Sequence, residues 1–243
     1  MNLVIDVGNS FVKLAVFEET ELLRKKISTL DLIQKDIDLL KKEFVPIKNA
    51  IISSVGKLKS SDIAYINKYF DVVQIDSSTK LPFKNCYKTP KTLGLDRIAL
   101  VCASIQQYPN SNVLIVDAGT CITYDFITDK NDYLGGAISP GIKMRYRSLH
   151  NLTANLPLLE LEMPKNIIGS STNDSIHSGV IYGLINEIEG AISQYKLKYK
   201  DLTIILTGGD ANFLSKQLKS SIFANSNFLL EGLNYILQIN SNE

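Results

Sequence analysis

Histidine and cysteine are scarce in this chain, and what they exclude comes first. Two histidines, His150 and His177, are too few for a His-rich metal site. The three cysteines, Cys86, Cys102 and Cys121, are odd in number, widely spaced and never in a CxxC pair. That argues against a disulfide framework or a zinc knuckle and for a reducing cytosol. No apolar run approaches the roughly 20 residues of a membrane helix. The amino terminus, MNLVIDVGNS, carries an acid at Asp6 and no basic stretch, so no secretory signal is expected and a cytoplasmic location follows. Neither sign of charge is in excess: 26 Lys and Arg against 25 Asp and Glu leave a net charge of +1. A chain this neutral has no global attraction for nucleic acid. Two nucleotide signatures are absent as well. The only Gly-Lys pair, Gly56-Lys57, has Ile51 and Leu58 where a Walker A loop needs glycine and a hydroxyl. No GxGxxG occurs among the 14 glycines, which removes support for a dinucleotide-binding fold.

What is present is an ordinary globular composition, 45% apolar and 21% charged over 243 residues, enough for one large domain or two smaller ones. Its most informative feature is an internal echo. Residues 3–17, LVIDVGNSFVKLAVF, and residues 114–128, LIVDAGTCITYDFIT, superpose with Leu3 on Leu114, Asp6 on Asp117 and Gly8 on Gly119. Each copy is a short apolar strand, an acid, a small-residue turn and a second apolar segment, the pattern of a β-hairpin. Repetition at this scale predicts duplication of one supersecondary unit.

The rest alternates strand and helix. A helix is predicted over 29–44, capped by Ser28 or Thr29, with Leu30, Ile33, Ile37, Leu40 and Phe44 on one face. Strands are expected at 50–55 and 71–76, and helices at 61–70 and 93–107. In the second half a long helix over 172–195 repeats Ile176, Val180, Leu184, Ile188 and Ile192. A strand over 202–209 then ends in two glycines, followed by a helix from about Asp210 and a last helical element over 231–239. This is an α/β pattern, with two lobes expected at 1–110 and 111–243.

Asp-x-Gly turns suit phosphate chemistry. A turn of small residues can aim successive backbone N–H groups at a phosphate. An aspartate at the strand end supplies the hard oxygen that Mg²⁺ prefers. Asp6-x-Gly8-Asn9-Ser10 with Lys13, Asp117-x-Gly119-Thr120 and Thr207-Gly208-Gly209 resemble the two phosphate motifs and the adenosine motif of the sugar kinase, heat-shock ATPase and actin superfamily. Within it the chain is most similar to the type III pantothenate kinase family. The supporting pieces are Tyr87-Lys88-Thr89-Pro90, Gly94-Leu95-Asp96-Arg97, the run Gly135-Gly136-Ala137-Ile138-Ser139-Pro140-Gly141, and Thr172 opening a helix. They occur in the family's order from residue 6 to residue 209. Ser10 and Cys121 stand where threonine and alanine are more usual.

The resemblance implies a duplicated actin-like (ribonuclease H-like) ATPase fold, with the nucleotide cleft between two lobes. It implies ATP-dependent phosphorylation of pantothenate, the first step of coenzyme A synthesis. Asp6, Val7, Gly8, Asn9, Ser10, Phe11, Val12 and Lys13 match the ATP phosphate loop, with Asp6 near Mg²⁺ and Thr120 a further ATP contact. Asp96 matches the catalytic base. Tyr87, Gly94, Leu95, Arg97 and Thr172 match the substrate pocket. Asp117 matches the ligand of a monovalent cation, K⁺ or NH₄⁺. A homodimer is implied, with the pantothenate pocket completed at its interface, and neither nucleic acid nor membrane as partner.

The residues also admit plainer roles. Asp beside Gly is common in simple turns, Asp96 and Thr172 can serve as helix-start residues, and Lys13 can be a solvated edge charge. Arg97 can bind a substrate carboxylate or hold Asp96 ionised. A non-catalytic nucleotide-binding protein of the same fold, or a kinase of another small alcohol, stays open at this point.

Overall fold

The structure is a computed structural model that describes residues 1–8, 11–54, 58–76 and 78–241. The chain forms two compact units, one of Met1–Lys84, Lys88–Gln107 and Asn227–Glu243, the other of Asn85–Tyr87 and Tyr108–Ser226.

In the first unit, β1 (Asn2–Val7), β2 (Val12–Glu18) and β3 (Glu21–Ser28) form an antiparallel meander. After α1 (Ile33–Glu43), β4 (Asn49–Ile52) returns to lie parallel to β1, and after α2 (Ser60–Tyr69), β5 (Asp71–Gln74) lies parallel to β4. The sheet order is β3-β2-β1-β4-β5. All six residues of β1 are buried, the apolar Leu3, Val4, Ile5 and Val7 together with Asn2 and Asp6, as in a strand covered on both faces. Ile33, Ile37 and Leu40 of α1 pack on Leu3, Ile5, Val12 and Leu14.

The second unit opens with β6 (Lys84–Asn85), and α3 (Leu95–Gln107) of the first unit follows in the chain after a 3₁₀ turn at Pro90–Thr92. Strands β7 (Asn112–Ala118), β8 (Cys121–Ile127) and β9 (Asp132–Pro140) repeat the antiparallel meander. Helices α4 (Ile142–Asn151) and α5 (Thr172–Lys198) come next, and β10 (Leu202–Thr207) lies parallel to β7. The one-turn α6 (Ala211–Leu214) leads to β11 (Phe223–Ala224), parallel to β10. The order β11-β10-β7-β8-β9-β6 contains the five-strand pattern of the first sheet. The 111-residue echo is thus a topological repeat, with Asp6 and Asp117 near the ends of equivalent strands. The predicted stripe of α5, Ile176 to Ile192, packs on Leu114, Val116, Ile122 and Tyr124.

Several expectations are corrected. The first helix begins at Ile33, with Leu32 and not Ser28 or Thr29 at its cap; Thr29 instead accepts the Leu32 amide in a turn. Ser171, not Thr172, caps α5, accepting the Asp174 amide at 3.1 Å. The helix after Asp210 is a single turn. The division at residue 110 placed 227–243 in the second lobe, whereas these residues cluster with the first unit. The reason is α7 (Phe228–Ser241), whose buried Leu230, Leu233, Ile236 and Leu237 need an apolar partner. They find it on α3, β1, β4 and β5. Asn234, 1% exposed, locks the return by accepting from the Asn2 side chain at 2.9 Å and donating to the Glu19 carbonyl at 2.7 Å.

Because α7 joins the first unit through fully buried side chains, Leu233→Ala should destabilise it by about 2–5 kcal/mol, the usual range for a buried leucine. Urea unfolding checks this; an unchanged midpoint would show that α7 does not anchor the unit.

Candidate functional site

In the first unit, β1 delivers Asp6 to the edge of the hairpin turn. Its carboxylate is only 8% exposed, and both oxygens have partners. Oδ1 accepts from the Ser53 hydroxyl at 3.0 Å, and Oδ2 lies 3.5 Å from the Lys13 ammonium. Ser53 in turn accepts the Val7 amide at 3.0 Å, so the residue just beyond β4 braces the start of the turn. Lys13 faces Asp6 directly across the β1–β2 ladder. It is therefore not merely a solvated edge charge. The turn is tight: the Gly8 amide donates to the Phe11 carbonyl at 3.0 Å, and Phe11 is exposed. Asn9 and Ser10 lie outside the described residues.

Also in the first unit, Gly94-Leu95-Asp96-Arg97 forms the start of α3. Asp96 is exposed in the first helical turn, its Oδ1 accepting the Arg97 amide at 2.8 Å. That bond fixes the carboxylate rotamer and leaves Oδ2 as the second acceptor. Arg97 beside it is buried, 5% exposed.

In the second unit, Asp117 near the end of β7 is paired in register with Thr123 of β8 and Thr207 of β10. The turn closes with the Gly119 amide on the Cys121 carbonyl at 3.0 Å, and Thr120 is exposed. The Gly-Gly turn after β10 leans on it. Gly208 has φ +96°, and a Cβ there would stand 2.4 Å from Asp117 Oδ1 and 2.3 Å from the Ala118 carbonyl. Only glycine meets both demands. Next, the Asp210 amide donates to the Ala118 carbonyl at 2.9 Å. Asp210 escaped sequence reasoning because nothing but its position after Gly-Gly marks it. Burial pushes its carboxyl above the ordinary range, with Lys143 pulling the other way.

Tyr87 and Thr172 have different surroundings. Tyr87 stacks on Tyr133 with ring centroids 6.2 Å apart and lies over Gly135, while its amide donates to Asn85 at 2.9 Å. Thr172 lines a cavity of 670 Å³ between α4 and α5, with Arg145, Leu149, Leu156, Ile176 and Val180. His177 is buried with Nδ1 2.8 Å from the Tyr146 hydroxyl. Among the described residues, no three or more His, Cys, Asp or Glu cluster to hold a metal, and no helix is long and apolar enough to cross a membrane. A magnesium ion that arrives on phosphates needs only one or two protein carboxylates, and Asp6, at the end of β1 beside the hairpin turn, supplies one.

Two sheets of repeated order, each with an acidic turn at its central hairpin, define an actin-like ATPase fold. Solved structures agree on that class. A ROK hexokinase from Thermus thermophilus aligns with a TM-score of 0.54 over 99% of both chains at 9% identity. A Campylobacter jejuni protein, described provisionally as a Baf family transcriptional activator, aligns with a TM-score of 0.67 at 22% identity, over 99% of this chain and 100% of that one. These likenesses speak to the fold. The family model of type III pantothenate kinases matches residues 2–194. A curated type III pantothenate kinase of Christiangramia forsetii is 53% identical over 243 residues, the whole of both chains. The chain belongs to the type III pantothenate kinase family.

The raised Asp210 carboxyl has a testable consequence. Its folded-state value lies above the unfolded one, so the ionised form is the one the fold disfavours. Asp210→Asn should therefore raise the melting temperature at pH 7, and that gain should fade as pH falls through the folded-state value, above the ordinary 3.8. Melting curves across pH 4–7 check it; a pH-independent difference would remove the assigned cause.

Proposed function

We propose that this chain transfers the γ-phosphoryl group of ATP to the terminal hydroxyl of pantothenate, giving 4′-phosphopantothenate, the first step of coenzyme A synthesis. The full-length relationship to type III pantothenate kinases carries the reading. The exposed Asp96 carboxylate at the head of α3 gives it a chemical centre.

Phosphoryl transfer runs through a loose transition state, so the protein's task is to position reactants and balance charge. Asp96 takes the proton of the attacking hydroxyl; the Arg97 amide on its Oδ1 keeps Oδ2 free for that role. Gly94, Leu95, Arg97, Tyr87 and Thr172 shape the alcohol pocket, which a second copy of the chain completes in a homodimer. The turn from Asp6 through Lys13 and the turn at Thr120 hold the phosphates. Mg²⁺ supplies charge neutralisation to the phosphates, and Asp6 is the residue to hold it. Asp117 holds a monovalent cation, K⁺ or NH₄⁺, which offsets repulsion between an acidic turn and a polyphosphate.

The purified protein with ATP, Mg²⁺ and K⁺ should release ADP only when pantothenate is added. A panel of other small alcohols separates pantothenate from rival acceptors, and a folded protein that turns over none of them would refute the kinase reading. Asp96→Asn should lower turnover by roughly 10²–10⁴-fold while nucleotide binding persists; near wild-type turnover would exclude Asp96 as the base. Replacing K⁺ by Na⁺ should depress the rate sharply, and indifference to the exchange would strip Asp117 of its cation.

A further inference from the structure

A side chain outside every motif grips the corner beside the turn at Gly119 and Thr120. Arg145, in the first turn and a half of α4, spends three bonds on fixed protein acceptors. Its Nε donates to the Pro140 carbonyl at 2.9 Å, and its terminal nitrogen donates to the Ser139 hydroxyl at 3.0 Å and to Glu187 at 2.5 Å. Glu187 lies on α5, 42 residues further along the chain, and its other oxygen accepts from the Tyr124 hydroxyl of β8 at 3.1 Å. One guanidinium therefore joins β8, β9, α4 and α5. Burial is the largest single influence on the Glu187 carboxyl and works to raise it, but the hydrogen bonds from Arg145, Ser139 and Tyr124 and the arginine's charge together hold the group below its ordinary value.

The corner that Arg145 grips is the one on which the phosphate turn rests. Pro140 pairs with Cys121 at the end of the β8–β9 ladder. The next residue, Gly141, donates its amide to the Thr120 carbonyl at 3.1 Å, and its own carbonyl accepts the Arg145 amide at 3.1 Å. Contact there is so close that a Cβ on Gly141 would stand 2.3 Å from the Gly119 carbonyl and 2.4 Å from that of Thr120. A shift of the Ser139–Gly141 corner must move the Gly119–Thr120 peptides, because no slack lies between them.

We propose that Arg145 is a positioning residue for nucleotide binding: held by Glu187, it locks the Ser139–Gly141 corner against Gly119 and Thr120 and so fixes the direction of the second phosphate turn. The fork geometry of arginine is required, since three acceptors from different elements must be met at once. The proposal rests on the nucleotide arm of the reading above.

The test is binding of a non-hydrolysable ATP analogue with Mg²⁺ by calorimetry, without any alcohol present, to wild type, Arg145→Met and Arg145→Lys. Methionine keeps much of the apolar stem and removes the fork. Arg145→Met should weaken binding about tenfold, the scale of one lost hydrogen bond to a charged group. Arg145→Lys should fall between it and wild type, and it decides the matter should the methionine variant fail to fold. In the coupled assay the KM for ATP should rise in step, and by more than the KM for pantothenate, although Arg145 also lines the cavity beside Thr172. Glu187→Gln, which keeps an acceptor for Arg145, should recover most of the affinity relative to Glu187→Ala. Analogue binding by the arginine variants within twofold of wild type overturns the proposal, as does a change confined to the KM for pantothenate. A wild-type chain that binds no nucleotide overturns both the proposal and the kinase reading. Unaltered nucleotide binding in the variants, with wild-type turnover intact, overturns the positioning role alone.

Discussion

A carboxylate at the end of a buried strand must be compensated, since the effective penalty for desolvating an ion in a protein is several kcal/mol. Both units are organised around that constraint. Asp6 is met by a hydroxyl on one oxygen and an ammonium on the other. The hydroxyl, from Ser53, also takes the Val7 amide, so compensating the charge ties the hairpin to its parallel neighbour. Around half-buried Asp117 the backbone itself closes in: Thr123 and Thr207 flank it in register, and a Cβ on Gly208 would stand 2.4 Å from its Oδ1, so only a glycine lets the Gly-Gly turn pass.

The repeat explains why these solutions sit in equivalent places. An antiparallel meander followed by a parallel return leaves the first strand of the meander central, with the turn that follows it at that strand's C-terminal end. Between an asparagine at the start and that acid near the end, both central strands are apolar, and the one other buried polar side chain of β1, Asn2, is hydrogen-bonded to Asn234. The units diverge in what they build on this frame. One carries short helices and recruits α7 from the far end of the chain. The other inserts α4 and the 27-residue α5 between β9 and β10, and with them the cavity beside Thr172.

What the sequence made legible follows from locality. The echo, the strands, the stripe of α5 and both acidic turns are readable because their signals lie within a few residues. The C-terminal helix could be foreseen, but not its partner: its four buried leucine and isoleucine positions require an apolar surface without specifying one. Ser53 and Arg145 were invisible for a related reason. A serine and an arginine are chemically unremarkable, and only contacts 47 and 42 residues apart reveal what each braces. The cap of α5 shows the same limit at short range: Ser170, Ser171 and Thr172 are all suitable, and only the backbone selects Ser171.

A turn that grips phosphate through backbone amides cannot stiffen itself, because the small residues that let the backbone approach are those that constrain it least. Its direction must come from neighbours, and a misplacement near 1 Å is costly in catalysis. This accounts for an asymmetry between the turns and what surrounds them. Cys121 stands where alanine is usual, and its sulfur turns outward to within 3.9 Å of the Met144 sulfur on α4, leaving the amide pattern of the turn untouched. Variation of a small side chain within the turn is absorbed by open space. A change to Ser53, Gly141, Gly208 or Arg145 acts on the frame itself, where the contacts leave no space to absorb it.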